Sequence, residues 1–191
     1  MIFASEKKSQ RIRHALAEYV EPELIASRFL PRPFVHNRWL TGAQSQYDYR
    51  SYGRRNLDSL DLVRIYFWRY GSNFYFQRYG GTFGVDFVRA PLPFVVESVD
   101  LSSDHARISK KVIEPDDVTL DMCGKFPMGA ILGSPDATGV QSNLFRYNNI
   151  WNDQRALDDL VRIVAGYLPQ MEEWFEDQRD RSNVGTAHTK L

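Results

Sequence analysis

The run at residues 62–70, Leu-Val-Arg-Ile-Tyr-Phe-Trp-Arg-Tyr, constrains the fold more than any other segment. β-Branched and aromatic residues crowd it, and Val63, Ile65 and Phe67 alternate with Arg64, Tyr66 and Trp68. A period of two puts one set on each face of a strand. Gly71-Ser72 predicts a turn, residues 74–79 a second strand, Gly80-Gly81 a tight turn using positive φ angles, and residues 82–88 a third strand. The expectation is a β-meander. Ala90-Pro91-Leu92-Pro93 ends it, and residues 94–99 are expected as an edge strand, because the prolines before it carry no donor for further pairing.

Helical periods lie on either side of this sheet. Ser5 can cap a helix whose Ile12, Leu16, Tyr19 and Val20 recur at spacings of three and four, leaving Lys8, Arg11 and Glu18 to water. Glu21-Pro22 interrupts it, and Leu24, Ile25 and Phe29 continue as a second short helical piece. Pro31 and Pro33 stop helical structure, after which residues 34–39 read as extended. Towards the other end, Asn152 or Asp153 caps a helix with the stripe Leu157, Leu160, Val161, Val164 and Leu168. Pro169 opens a further helix, 170–181, with Met171, Trp174 and Phe175 on its apolar side. Residues 182–191 are expected as a flexible tail beyond a single domain at 1–181. Between residues 100 and 150, prolines at 115, 127 and 135 predict loops, with short strands at 108–113 and 118–122. The fold class is therefore α+β, a central antiparallel meander with N- and C-terminal helices packed on one face.

A chain of 191 residues can bury roughly 70% of its extended surface in one core. Aromatics at 14% supply rings to fill it. Cys123 is the single cysteine, which excludes an internal disulfide, a four-cysteine zinc site and a CxxC redox pair, and fits a reducing cytosol. The basic pair Lys7-Lys8 is followed by polar residues instead of an apolar run, so no export signal is expected. No stretch of 18 residues is free of charge and strong polarity, so no membrane span is expected. The net charge of zero is unevenly spread: residues 1–90 carry 14 Lys and Arg against 8 Asp and Glu, and the remainder reverses the balance. Either the halves neutralise each other in the fold, or a basic face and an acidic face each meet a partner.

Cys123 with His14, His36, His105 or His188 is the candidate nucleophile and base, yet nothing around Cys123 resembles a strained nucleophile turn, and a buried, inert thiol is expected. Glu114, Asp116, Asp117 and Asp121 cluster without the glycine and ligand spacing of a calcium loop, and read as a solvated loop; no metal or cofactor is expected. His36 and His105 read as surface or hydrogen-bonded residues. Gly80, Gly81 and Gly84 fall between strands and offer no helix N-terminus to a phosphate. Residues 46–79 do stand out: Arg50, Arg54, Arg55, Arg64, Arg69 and Arg78 interleave with Tyr47, Tyr49, Tyr52, Tyr66, Trp68, Tyr70 and Tyr75. Such residues hold phosphates and stack bases, pair across a plain solvent-facing sheet, or form a protein-binding face. The strands do not reproduce the signature of an RNA-recognition motif, and zero net charge argues against broad phosphate binding.

The order of elements is similar to that of small uncharacterised bacterial α+β families that include toxin-immunity proteins. It runs from an N-terminal helix into Ser27-Arg28-Phe29-Leu30, then an arginine- and aromatic-rich sheet, then the helix with Leu157-Asp158-Asp159-Leu160-Val161. The resemblance implies stoichiometric binding of a cognate toxin in the cytoplasm, without catalysis. The expected partner-binding residues are Arg50, Tyr52, Arg54, Arg64 and Trp68 on the sheet for an acidic partner, and Glu172, Glu173, Glu176 and Asp177 on the last helix for a basic one. A nucleic-acid binder and an enzyme assembled only in three dimensions are the rival readings.

Overall fold

The computed structural model describes residues 8–32, 47–68, 81–100, 107–132, 145–147 and 154–187. Three long strands in chain order, β2 (Tyr47–Arg55), β3 (Ser59–Trp68) and β4 (Gly81–Pro91), form an antiparallel meander. The two-residue β1 (Leu30–Pro31) pairs with β2 on one side. On the other side, β7 (Met128–Ala130) and β8 (Phe145–Tyr147) pair with successive stretches of β4. The meander is thus the expected architecture built from a different set of strands. Trp68 stands opposite Thr82 and Ser59 opposite Pro91, so β3 and β4 are direct neighbours along their whole paired length. A strand at 74–79 cannot lie between them; residues 69–80, like the expected extended segment 34–39, fall outside the described residues.

Helices cover one face of this sheet, as the apolar stripes predict. In α1 (Lys8–Tyr19), Ile12, Ala15 and Leu16 are buried. The break at Glu21-Pro22 is present, with α2 (Glu21–Ala26) restarting at the proline. α2 then ends in a Schellman arrangement: the Arg28 N–H donates to the Ile25 carbonyl and the Phe29 N–H to the Leu24 carbonyl, with Arg28 at φ 66°. Leu24 and Phe29 are both fully buried, which closes the motif with an apolar contact and feeds the chain into β1. α3 (Gln154–Gly166) buries Leu157, Val161 and Val164, while Leu160 packs at the margin. α4 (Leu168–Ala187) buries Leu168, Met171 and Phe175 and runs six residues past the end expected at Arg181. Under these helices lie Tyr52, Val63, Ile65, Phe83, Val85 and Phe87 of the sheet. The Phe87 ring meets Trp174 edge-on at 5.1 Å and tilts against Phe175 at 5.6 Å. Gly129 stands opposite Phe87, and a methyl group on it would overlap the ring.

The opposite face is covered as well, by the stretch least legible in the sequence. β5 (Phe94–Asp100) does not extend the sheet as an edge strand; it leaves it and pairs with β6 (Arg107–Ile113) in a separate two-stranded ribbon. The strand expected at 118–122 is instead a 3-10 turn, Leu120–Cys123, following another at Pro115–Asp117. Three-residue turns bring Val118, Leu120 and Cys123 onto one side, where with Phe94 they cover Leu60, Leu62, Val88 and Ala90. β3 and β4 therefore supply alternate residues to two cores. Among the described residues, no helix is long and apolar enough to cross a membrane.

Candidate partner-binding surfaces

Of the candidate sheet residues, two lie beneath the helices instead of on a surface. Arg50, Tyr52 and Arg54 share one face of β2, and that is the face α2 and α4 cover. Tyr52 is 2% exposed, and burial together with the Glu21 carboxylate pushes its phenol up to about 12. Arg54 stands opposite Asp61, which stands opposite Arg89, so register alone aligns a cation, an anion and a cation across three strands. Asp61 is completely buried and accepts from Arg54 Nε and Nη2 at 3.2 and 3.0 Å, from Arg89 Nε and Nη2 at 2.6 and 2.9 Å, and from Asn56 Nδ2 at 3.0 Å.

The same arginines tie the row to the helices. Arg54 donates through Nη1 and Nη2 to both carboxylate oxygens of Glu172, each at 2.9 Å, and lies 4.4 Å above the Phe29 ring. Arg89 donates to the Phe175 carbonyl of α4. Burial alone lowers the basicity of Arg54, but its bonds to Glu172 and Asp61 outweigh that and hold its pKa above the ordinary value. Arg54 and Glu172, assigned in the sequence to two surfaces of opposite charge, are thus partners of each other. An alternation of arginine and apolar residues reads alike whether water or a helix covers the face; only the register, which the sequence does not display, reveals Asp61 and Arg89 as members.

Arg50 is exposed and reaches Glu21 at 3.3 Å. Arg64 lies on the other face of the sheet, bonded to Asp86 at 2.9 Å and to Asp121 at 2.8 Å. Trp68 is the last residue of β3, and its side chain lies outside the described residues. The described sheet arginines therefore do not form the continuous basic and aromatic platform that a nucleic-acid groove requires.

Beside Arg64 is a cavity of about 150 Å³ between the sheet and the 3-10 turns. Arg32 closes one wall. It passes close over Gly53, where any side chain would collide with it, and donates to the carbonyls of Pro115, Asp116 and Val118. Burial lowers the pKa of Arg32, against the pull of Asp116 and Asp117. A lone arginine between two prolines carries no period that would mark Arg32 for this place. Cys123 is buried, as expected: its thiol donates to the Thr119 carbonyl, and burial pushes it up to about 12, the setting of an inert sulfur. Among the described residues, no group of His, Cys, Asp and Glu could hold a metal ion.

On α4, Glu173, Glu176 and Asp177 are exposed, while Glu172 on the same helix turns inward to Arg54. The β5–β6 ribbon presents Lys110, Lys111 and Val112 to solvent. Comparison with protein-family models, with curated proteins and with solved structures finds no match.

Proposed function

We propose that the chain acts by binding another protein, as a cytoplasmic immunity factor that neutralises a basic toxin through the outer face of α4. The observation that supports this reading is how α4 is mounted. Its inner side is held by Met171, Phe175, the Glu172–Arg54 ion pair and the Arg89 bond to the Phe175 carbonyl, so Glu173, Glu176 and Asp177 are presented on a helix anchored along its opposite side. Charge on a fixed surface steers encounter and selects partners without reordering on binding. The single, buried cysteine suits the cytoplasm.

The test is co-expression with the product of the adjoining gene. The expected result is rescue of growth from a toxic neighbour and a stoichiometric complex. Its association at low salt slows roughly tenfold or more when Glu173, Glu176 and Asp177 are all changed to Lys. Glu172 is left intact because its carboxylate turns inward to Arg54 and is not part of the outer face. A harmless neighbour, or association unchanged by the triple reversal, overturns the reading.

A further inference from the structure

The two outer edges of the β5–β6 ribbon differ, and the difference specifies what can fill the open one. β5 is closed on its outer side by Lys125, which lies over the rings of Phe94 and Phe126 and donates to the Val95 carbonyl at 3.3 Å. From that bond, made from outside the ribbon, the Val95 carbonyl is assigned to the side away from β6. Opposed residues of an antiparallel pair alternate between exchanging both backbone bonds and exchanging neither, so Val95 and its opposite, Val112, exchange neither. The N–H and C=O of Val112 therefore point out of the ribbon on the β6 side, and by the same alternation so do those of Lys110. Among the described residues no strand pairs with that edge. The side chains beside it are in water, Val112 at 59% exposed and Lys110 at 68%.

Charge narrows the occupant. Lys110 and Lys111 sit next to each other on the edge and are both exposed. A second copy placing β6 against β6 with Lys110 or Lys111 at the two-fold axis would set lysine beside lysine, and a basic strand meets the same repulsion. An acidic strand gains at both positions. Lys110 already bonds Glu97 across the ribbon at 2.9 Å, but that pair is exposed, and an exposed pair is readily exchanged for another.

We propose that the outer edge of β6 is a docking strand that takes an extended acidic segment of a partner protein by strand addition, with main-chain bonds at Lys110 and Val112 giving grip and Lys110 and Lys111 reading the charge. This surface is separate from the outer face of α4 and stands whether or not α4 binds a toxin.

The experiment titrates the isotope-labelled full chain with a short blocked peptide in which pairs of adjacent glutamates, one for each face of the strand, are flanked by valines. A lysine-for-glutamate peptide and an acidic peptide with a central proline serve as comparisons. The acidic peptide is expected to slow amide exchange at Lys110 and Val112, and the other two to leave it unchanged. Lys110→Glu with Lys111→Glu should reverse the preference between acidic and basic peptides by roughly tenfold. The α4 triple reversal should leave the titration as it was. The proposal is overturned by absence of protection at millimolar peptide, by shifts at the lysines without amide protection, or by equal protection from both peptide charges. Protection that grows with protein concentration alone, together with a dimer mass, assigns the edge to a second copy and overturns it as well.

Discussion

Replacing Asp61 with alanine is the sharpest probe of what holds the helices on the sheet. The carboxylate is fully buried and accepts five hydrogen bonds, four of them from two guanidinium groups that are themselves only 18% and 14% exposed. Arg54 would keep Glu172 and Arg89 would keep the Phe175 carbonyl, so neither cation is stripped entirely. Both would nonetheless face each other across an empty site without the anion between them. Removing one partner of a buried ion pair costs about 3–5 kcal/mol, a large share of the ~5–15 kcal/mol that holds a typical domain together. Glu172→Gln at the partly exposed end of the network should cost about 1 kcal/mol or less. Replacing Arg54, Asp61 and Arg89 together by apolar residues of similar volume should cost less than Asp61→Ala alone, since the one charge it unpairs, Glu172, is one-third exposed and can be met by water. Equilibrium urea unfolding followed by circular dichroism and tryptophan fluorescence measures all three. A loss below about 1 kcal/mol for Asp61→Ala, or a triple variant less stable than the single one, refutes the reasoning.

Two further outcomes follow from close packing and from burial. Gly129→Ala, by driving a methyl group into the Phe87 ring under α4, should cost about 1–3 kcal/mol in the same urea assay, whereas Gly166→Ala, with open space around its would-be methyl, should not destabilise. Alkaline pH should unfold the protein through Cys123 and Tyr52. Both groups ionise at higher pH when folded than when unfolded, so their stabilising contribution is intact below pH 9 and is lost as pH rises towards about 12. Each unit of pKa displacement is worth roughly 1.4 kcal/mol, and Tyr52→Phe with Cys123→Ala should flatten that slope in unfolding measured from pH 8 to 12.

Much of the scaffold was legible because it obeys simple periods. Ile12, Leu16 and Val20, and Leu157, Val161 and Val164, mark helices that press on the sheet, and the alternation through Val63 and Ile65 marks its central strand. The layer over the second face was not legible, because Val118, Leu120 and Cys123 are brought together by two 3-10 turns whose spacing matches neither a helix nor a strand. The candidate surface was half legible. Glu173, Glu176 and Asp177 are exposed, as a polar helix face implies, but Arg54 and Glu172 satisfy each other, and Tyr52 is roofed over. The outer edge of β6, which no described strand pairs, leaves no mark in the sequence, because a strand's neighbours are set by where β5 leaves the sheet, after Pro93.

The two cores also fix the alignment of the meander twice over. Sliding β3 by one residue would turn Asp61 away from Arg54 and Arg89 and press its carboxylate among Leu120, Cys123 and Phe94, while Leu60 and Leu62 would replace it under the helices. Each misalignment strands a charge in oil and parts two cations from their anion, so near-native shifted pairings are penalised on both sides of the sheet together. A strand that spells two messages in alternate letters admits only one reading frame.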